Sequence, residues 1–191
     1  MDLSFLLLVC KEANFFGVDF MTTKITLSDF DTMFEIMEKS FPVDERRPYR
    51  EQKELFNNSC YKVYVKKEKG VVIAFVAVWD FENFLFIEHF AVNPEFRNNG
   101  IGGKLLGDVI SLYDKAVCLE VEPPEDELTK RRIGFYKRNG FFLNEYPYTQ
   151  PPISKGKNSI PLMIMSSGQK LCETEFENVR DVLYREVYKC L

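Results

Sequence analysis

The segment from Arg97 to Lys104 contains the residue types that bind phosphate groups. It reads Arg-Asn-Asn-Gly-Ile-Gly-Gly-Lys and connects an apolar run that ends at Val92 to a stretch with apolar residues at helical spacing. The first N–H groups of a helix lie at the positive end of its dipole, and glycine lets an anion approach the backbone closely. The segment therefore predicts an anion site at the beginning of a helix, with Arg97 and Lys104 as further positive charges.

Two common nucleotide-binding motifs do not fit this segment. A Walker A loop needs glycine five residues before Gly103, where the chain has Asn98, and it needs serine or threonine where the chain has Leu105. The dinucleotide fingerprint needs glycine or alanine at the position of Leu105. Both motifs are therefore excluded.

A third motif does fit. Arg97-Asn98-Asn99-Gly100-Ile101-Gly102 is similar to the R/Q-x-x-G-x-G/A signature of the GNAT acetyltransferases, although a glycine-rich turn without a ligand would read the same. Ala91-Val92-x-Pro94 precedes it as in that family, and Phe135-Tyr136-x-x-x-Gly140-Phe141 resembles the second family signature, F-Y-x-x-x-G-F. The resemblance extends over about residues 24–166. On these motifs the chain is identified as a member of the GNAT family.

The resemblance implies a fold and a reaction. The expected fold class is α/β, with a central mixed sheet, a splay between its two middle parallel strands and helices on both faces. The expected reaction transfers an acetyl group from acetyl-CoA, as co-substrate, to a primary amine of a small molecule, a peptide or a protein. The amine attacks the thioester directly, so neither a covalent enzyme intermediate nor a metal is expected. An amine with a pKa near ~10.4 must lose a proton, and a departing thiolate whose thiol has a pKa of roughly 8.5 benefits from gaining one.

In related enzymes the pantetheine arm of CoA binds the splayed strand, and the pyrophosphate binds the glycine-rich loop. Carried over to this sequence, the expected strand contacts are Phe90, Ala91 and Val92. An N–H group of this strand can also polarise the thioester carbonyl. The expected loop contacts are Arg97, Asn98, Asn99, Gly100, Ile101, Gly102, Gly103 and Lys104.

The resemblance also implies an acid and a base. Tyr136 matches the family's tyrosine and is the predicted general acid, the alternative being a tyrosine that packs at the edge of the core. Glu120, in Leu119-Glu120-Val121, matches the glutamate of related strands and is the predicted base, the alternative being a solvated strand glutamate. Many relatives then have an asparagine that contacts the cofactor, whereas residues 122–126 of this chain read Glu-Pro-Pro-Glu-Asp. This departure affects the assignment of Glu120 as the base, but it does not affect the assignment of the chain to the family.

Two further glutamates could contact the acceptor amine. Glu88 could replace Glu120 as the base or bind a cationic acceptor. Glu45 lies in the charged loop 44–47, which the family uses over its acceptor site, and a plain charged surface loop would read the same. Glu88 and His89 are adjacent on one predicted strand, so we expect them to point to opposite faces. His89 is expected to be a packed histidine rather than a catalyst.

The predicted elements position these residues. Apolar periodicity predicts strands at 24–27, 61–65, 71–79, 84–92, 116–121, 141–146 and 160–166. Helices are predicted after a capping box at 28–31, near 50–56, after the glycine-rich loop, over 125–139 with Gly140 at its C′ position, and near the C-terminus. Short turns make the early strands antiparallel, whereas a strand–helix–strand connection makes the central pair parallel.

Composition and charge argue against several other classes of protein. The net charge of −4 argues against a nucleic-acid-binding protein, and the single histidine and five scattered cysteines argue against a structural zinc site. The apolar run from Ser4 to Cys10 is too short to span a bilayer, and no basic segment precedes it. We expect an N-terminal extension at residues 1–20, a single GNAT domain at residues 21–191, and a cytoplasmic monomer or homodimer without a membrane partner.

Two other functions compete with that of an enzyme. A GNAT-like domain could sense acyl-CoA without transferring the acyl group, and a protein with an empty cleft could use its terminal helix for assembly. The presence of Tyr136 favours the enzyme over the sensor. The glycines and Arg97 at the beginning of a helix make the assembly protein the least favoured alternative.

Overall fold

The computed structural model describes residues 22–190, so the predicted extension of residues 1–20 lies outside the described residues. Within them, one mixed sheet of eight strands lies between two layers of helices. The strands are β1 (Thr22–Lys24), β2 (Tyr61–Glu68), β3 (Val71–Asp80), β4 (Phe84–Val92), β5 (Ala116–Val121), β6 (Phe141–Leu143), β7 (Tyr148–Gln150) and β8 (Ile160–Ser167). The helices are α1 (Phe30–Ser40), α2 (Tyr49–Glu54), α3 (Ile101–Ile110), α4 (Glu127–Arg138) and α5 (Glu173–Val182). Over this part of the chain, none of the helices combines the length and the apolarity that a bilayer crossing requires.

The pairing of the strands follows from their connections. The order in the sheet is β1-β2-β3-β4-β5-β8-β6, and β7 pairs with β8. Tight turns join β2, β3 and β4, which are antiparallel, and the turn residues Lys69 and Gly70 have φ angles of 49° and 83°. The connection from β4 to β5 contains α3, and these two strands are parallel. The predicted mixed sheet with a parallel pair at its centre is therefore confirmed.

The core has one layer on each face of the sheet. In β3, Phe75 and Ala77 pack with α1 and α5, and we call this side the α1 face. Val76 and Val78 pack with α3 and α4, and we call this side the α3 face. All four side chains are buried, which explains why β3 reads as a nearly continuous apolar run. Helices lie on both faces, as predicted.

The boundaries near the N-terminus differ from the prediction. β1 ends at Lys24 instead of extending to Leu27, because the chain turns at Thr26. The Thr26 hydroxyl donates a hydrogen bond to the Asp29 carboxylate over 2.6 Å, and the Thr26 N–H donates to the same carboxylate over 3.2 Å. The capping box is therefore formed by Thr26 and Asp29, not by residues 28–31 as predicted, and α1 follows it.

The predicted strand 141–146 is divided in the structure. β6 ends at Leu143 because the next side chain, that of Asn144, is buried and bonds to β8, where its Nδ2 donates to the Ile164 carbonyl over 3.1 Å. The chain then forms the short strand β7, which the sequence pattern does not indicate. β7 carries Tyr148, a residue of the candidate site.

The last two long helices are α4, whose ends are defined by cap residues, and α5 near the C-terminus. The Asp126 carboxylate accepts a hydrogen bond from the Thr129 N–H over 2.8 Å at the beginning of α4, and Gly140 follows its end with a φ angle of 83°. α5 continues into a π-helical turn, Leu183–Val187, whose two end residues are buried on the α1 face. We call residues 173–190 the C-terminal segment.

Candidate active site

The two parallel central strands separate halfway along their length. β4 and β5 pair over Phe84–Ile87 and Ala116–Leu119, and the pairing then stops. β5 continues beside β8, so within residues 22–190 the edge of β4 from Glu88 to Val92 has no strand partner on the side of β5. The predicted splay is therefore confirmed. Free N–H and C=O groups of such an edge can bind an extended ligand as an added strand.

A β-bulge lies where the gap opens. Ala77 of β3 pairs with His89, and the next residue, Val78, pairs with Ile87, so Glu88 is an extra residue in β4. A bulge shifts the alternation of side chains by one residue. Glu88 Oε2 lies 3.5 Å from His89 Nδ1, and both side chains lie on the α1 face. The prediction that they point to opposite faces is therefore wrong, because it assumes an unbroken strand.

The glycine-rich loop ends at the beginning of α3. Gly100 precedes the helix with a φ angle of 71°, which favours glycine. The first N–H group to bond back within the helix is that of Lys104, which donates to the Gly100 carbonyl over 3.1 Å. The N–H groups of Ile101, Gly102 and Gly103 precede it and belong to the first turn, where an anion binds most favourably. This geometry fits the predicted pyrophosphate site.

The beginning of α3 lies directly on the unpaired part of β4. A Cβ atom added to Gly102 would lie 3.2 Å from Phe90 Cζ and 3.4 Å from Val92 Cγ2. A side chain at position 102 would therefore crowd these two side chains, which would have to shift by a few tenths of an ångström to admit a Cβ atom. The predicted anion site and the free edge of β4 are adjacent because the first turn of α3 packs on this strand. The contacts of Phe90, Ala91 and Val92 with a cofactor stay predictions.

Polar side chains of the loop hold its shape. Arg97 Nε donates to the Val92 carbonyl over 3.0 Å, so the guanidinium connects the loop to the end of β4. Asn98 adopts a φ angle of 67°, and its Oδ1 accepts a hydrogen bond from Arg131 of α4 over 3.0 Å. Asn99 Nδ2 donates to the carbonyl of Phe96, the residue before the loop, over 3.4 Å. These contacts give the three side chains a structural role in the loop, in addition to any contact that they make with a bound phosphate.

Tyr136 lies on the α3 face, where α4 covers the sheet. Its side chain is 8% exposed and packs edge-on against Phe135 and Phe141. Burial raises the pKa of the phenol to about 12, and the nearby charge of Arg132 opposes this shift. The hydroxyl is therefore protonated at all pH values at which a general acid would act. The Phe135 ring also contacts Phe90 of β4, so this part of α4 lies over the splayed strand.

Glu120 lies on the α1 face, opposite to Tyr136. The hydroxyls of Tyr148 and Tyr188 each donate a hydrogen bond to its carboxylate, the second over 2.7 Å. Burial raises the pKa of Glu120 to about 7, and these two hydrogen bonds oppose the shift. The residue is still partly exposed. The alternative of a solvated strand glutamate does not describe this carboxylate.

Glu88 lies close to Glu120 but has a different environment. Its Oε1 accepts a hydrogen bond from Arg47 Nη1 over 2.7 Å, and its side chain is only 2% exposed. Burial alone would raise the pKa of Glu88, but the charges of Arg47 and His89 hold it at about 2. The Arg47 guanidinium also donates to the Val187 carbonyl over 3.3 Å. Glu88 is therefore ionised and bound to the protein itself.

Glu45 lies in a 3-10 turn, Val43–Glu45, next to the gap. Its carbonyl lies 2.8 Å from His89 Nε2, which ties the turn to the bulge of β4. His89 is 2% exposed and packs edge-on against Phe41, as predicted for a packed histidine. The Glu45 side chain is partly exposed; burial raises its pKa, and the charges of Arg132 and His89 oppose this. Glu45 is therefore held beside the bulge of β4, within electrostatic range of Arg132 of α4.

The segment that departs from the family pattern has structural partners. The Glu122 carboxylate forms an ion pair with Arg132 of α4, and Asp126 caps that helix.

The sequence analysis does not identify three residues of the candidate site as individual candidates. They are Arg47, Tyr148 and Tyr188. Only the charged loop 44–47 gives a signal for the first; the two tyrosines lie far along the chain, in elements of no recognised motif. Among residues 22–190, no group of three or more His, Cys, Asp or Glu side chains could hold a metal ion.

The chain is similar to several known proteins. The profile of the "Acetyltransferase (GNAT) family" matches residues 30–141. A solved structure from Bacteroides thetaiotaomicron, named as an acetyltransferase of the GNAT family, is 35% identical, with a TM-score of 0.81 over 88% of this chain and 98% of that one. The Bacillus subtilis protein YjbC, named as an acetyltransferase, is 30% identical over 111 residues, which are 56% of this chain and 55% of that protein. The match thus spans about half the length of that curated relative.

A more distant structure has the same fold. Arabidopsis thaliana NAA60, solved in complex with acetyl-CoA, has a TM-score of 0.60 at 16% identity, over 76% of this chain and 96% of that one. The profile match covers more than half of the chain and includes the splayed strand, the glycine-rich loop and the tyrosine of α4. This chain belongs to the GNAT acetyltransferase family.

Proposed function

We propose that this protein is an N-acetyltransferase that transfers an acetyl group from acetyl-CoA to a primary amine. One juxtaposition carries the proposal: the gap between β4 and β5 opens directly after the pair Ile87–Leu119. Its first residues are Glu88 on one strand and Glu120 on the other. The free edge of β4 then leads to the first turn of α3. The carboxylate of Glu120, which can accept a proton, thus lies across the gap from one end of the unpaired edge of β4, and the predicted anion site lies at the other end.

Acetyl-CoA fits these residues. The free edge from Glu88 to Val92 suits the amide-bearing pantetheine arm, and the first-turn N–H groups of Ile101, Gly102 and Gly103 suit the pyrophosphate. The close packing of Gly102 on Phe90 keeps the two subsites adjacent. When bound, acetyl-CoA supplies the activated carbonyl carbon and a thiolate leaving group. An N–H group of the free edge could stabilise the carbonyl oxygen as negative charge develops there.

Tyr136 and Glu120 have the properties of an acid and a base. The amine nitrogen forms the new C–N bond, the C–S bond breaks, and the products are an amide and the free thiol of CoA. Glu120 accepts the proton that the amine loses, and its pKa of about 7 suits a base at neutral pH. Tyr136 donates a proton to the departing sulfur. Tyr136 and Glu120 lie on opposite faces of the sheet. The thioester of acetyl-CoA and the acceptor amine would therefore meet in the gap between these two residues.

The acceptor side of the gap is acidic, which suits a cationic amine. Glu45 is partly exposed beside the gap, so we propose it as a residue that attracts the ammonium group. The predicted role of Glu88 in acceptor binding is less direct in this geometry, because its carboxylate is bound by Arg47. We propose that Glu88 contributes its negative charge and fixes the loop 44–47 instead of touching the amine.

A non-catalytic acyl-CoA sensor is the second candidate function. A sensor would need the anion site and the free strand edge but not a buried base held by two hydroxyls. The environment of Glu120 therefore favours the enzyme. Detection of thiol released from acetyl-CoA, across a panel of small-molecule and peptide amines, tests the two candidates directly.

The Tyr136→Phe variant links activity to the proposed acid. It should lower kcat by about 10²–10⁴-fold and change the KM for acetyl-CoA much less, because a general acid acts mainly in the transition state. Tyr113→Phe is the matched control, since the Tyr113 hydroxyl bonds to Tyr64 away from the gap. Acetyl-CoA binding without amine-dependent thiol release would instead support the sensor. Unchanged kcat in the Tyr136 variant, with chemistry rate-limiting, would assign this tyrosine to packing.

A further inference from the structure

The Glu120 carboxylate is held by two tyrosines that the GNAT profile does not cover. The Tyr148 hydroxyl donates to Oε1 and the Tyr188 hydroxyl donates to Oε2, so each carboxylate oxygen has its own donor. Both residues lie beyond the matched range 30–141. Tyr148 is 6% exposed and Tyr188 is 7% exposed. Two phenol hydroxyls are thus brought to one carboxylate from separate parts of the chain.

The arrangement restricts how the carboxylate can turn. Because both oxygens accept a hydrogen bond from a buried donor, rotation about the last side-chain bond would break both bonds. The lone pairs that remain can then accept a proton only from a fixed direction. A hydrogen bond donated to the charged form also favours ionisation, which opposes the effect of burial. The tyrosines therefore act on both the orientation and the basicity of Glu120.

Other contacts hold the two tyrosines in place. Tyr188 directly follows Val187, whose carbonyl accepts a hydrogen bond from the Arg47 guanidinium over 3.3 Å. Arg47 in turn pairs with Glu88 of β4 over 2.7 Å. The ring of Tyr148 packs edge-on against Phe176 of α5. The C-terminal segment therefore contacts both glutamates of the gap, one through a hydroxyl and the other through Arg47.

We propose that Tyr188 and Tyr148 are positioning residues for the reaction: their hydroxyls orient the Glu120 carboxylate and keep it ionised for removal of the amine proton. The C-terminal segment is then a part of the active site. This inference rests on the proposed role of Glu120 as the base.

The titratable groups that interact electrostatically with the Glu120 carboxylate come from β4, β7 and the C-terminal segment. They are Glu88, His89, Tyr148, Tyr184 and Tyr188. Glu88 is ionised and opposes ionisation of Glu120, whereas His89 favours it. Removal of one tyrosine hydroxyl leaves the other groups in place, so the pKa of Glu120 should rise.

The experiment compares Tyr188→Phe and Tyr148→Phe with Tyr146→Phe. The Tyr146 hydroxyl bonds to the Leu171 carbonyl over 3.4 Å, so the control removes a hydroxyl from the same core layer without touching Glu120. The carboxylate is titrated by ¹³C NMR of protein labelled at the glutamate side-chain carboxyl, and Glu120→Gln identifies its signal. The pH profile of kcat, at saturating acetyl-CoA and amine, gives the second readout.

In Tyr188→Phe we expect the pKa of Glu120 to rise by about one pH unit, the order of magnitude of one hydrogen bond to a charged group. The acid limb of kcat should move by the same amount, and kcat at pH 7 should fall roughly fivefold. Tyr148→Phe should act in the same direction and serves where Tyr188→Phe does not fold. Tyr146→Phe should change neither readout.

Two results would overturn the inference in distinguishable ways. If neither the carboxylate titration nor the acid limb moves in either tyrosine variant, the hydroxyls do not position Glu120. If the titration moves and the acid limb stays, Glu120 is held by the tyrosines but is not the base. The proposed activity itself is judged separately, by amine-dependent thiol release in the wild-type protein.

Discussion

At the scale of single residues, Glu88 and Glu120 lie on the two sides of one gap, where it opens. Their pKa values are shifted in opposite directions. Glu88 lies against the Arg47 guanidinium, and its pKa is about 2. Glu120 lies between two phenol hydroxyls and, among residues 22–190, has no cationic partner in hydrogen-bond contact; burial raises its pKa to about 7. A base works best when its pKa is near the working pH, so Glu120 fits that role and Glu88 does not.

The Glu120→Gln variant should therefore lose activity in a pH-dependent way. Because the carboxylate accepts protons only above its pKa, the wild-type kcat should rise with pH through about 7. The variant should lose about 10²–10⁴-fold at neutral pH and much less near pH ~10, where the amine is deprotonated by solvent. The measurement is the pH profile of kcat for both proteins.

Glu88→Gln is the comparison for this profile. We expect it to keep a rise of kcat with pH, moved to lower pH because the charge of Glu88 no longer opposes ionisation of Glu120, and mainly to weaken amine binding, when it is assayed well below its melting temperature. Alkaline rescue in the Glu88 variant, together with wild-type behaviour of the Glu120 variant, would reverse the assignment. Wild-type behaviour of both would mean that the amine loses its proton to solvent before it binds.

At the scale of elements, the beginning of α3 carries the predicted anion site and packs on the splayed strand. Gly102 packs tightly on the strand, because a Cβ atom there would lie 3.2 Å from Phe90 Cζ and 3.4 Å from Val92 Cγ2. Gly103 is different, since a Cβ atom there would lie 3.6 Å from Asn139 Oδ1, an ordinary contact. A change at Gly103 can therefore test anion binding without disturbing the helix, whereas a change at Gly102 cannot separate the two effects.

The Gly103→Asp variant should weaken acetyl-CoA binding by about tenfold or more, because a carboxylate in the first helical turn repels the pyrophosphate and competes for the N–H groups. The same carboxylate interacts favourably with the positive end of the helix dipole, so the melting temperature of the protein without acetyl-CoA should not fall. Isothermal titration calorimetry gives the Kd.

Gly107→Asp is the matched control, since it adds the same charge to the same helix at a position where a Cβ atom meets no atom of the described residues within 4 Å. Equal Kd values for the two variants would place the pyrophosphate elsewhere.

At the scale of the whole molecule, Arg47 joins three separate parts of the chain. It lies after α1, its guanidinium pairs with Glu88 of β4, and it donates to the Val187 carbonyl of the C-terminal segment. Both side chains of the ion pair are buried, at 6% and 2% exposure. Removing one partner from a buried ion pair leaves the other charge without compensation.

The Glu88→Gln variant should lower the free energy of unfolding by about 3–5 kcal/mol at pH 7. The pKa of Glu88 is lowered from 4.5 to about 2, so its contribution to stability is present above pH 4.5 and disappears as the pH falls towards 2. The loss caused by the variant should therefore shrink in urea unfolding experiments at decreasing pH.

The double variant Arg47→Met, Glu88→Gln tests the cause of this loss. Because it removes both charges, it should be more stable than Glu88→Gln alone. A double variant as unstable as the sum of the two single variants would show that the charges do not interact.

The sequence alone identifies the family and most of the elements, and it predicts where the cofactor binds. β4 and β5 have the predicted bounds, because apolar runs between turn residues specify buried strands locally. The glycine-rich loop is recognised because helix starts and glycine conformations are properties of neighbouring residues. Glu120 and Tyr136 are found through family motifs, which are also local.

Only the tertiary structure decides the environment of each candidate. The bulge at Glu88 depends on the register between β3 and β4, and it places Glu88 and His89 on one face. The partners of Glu120 come from β7 and from the C-terminal segment, 28 and 68 residues further along the chain. Ionisation depends on burial and on charges close in space, whatever their separation in the chain. For this reason a pattern of neighbouring residues can name two glutamates, and only their folded surroundings distinguish the glutamate proposed as the base from the one held in an ion pair.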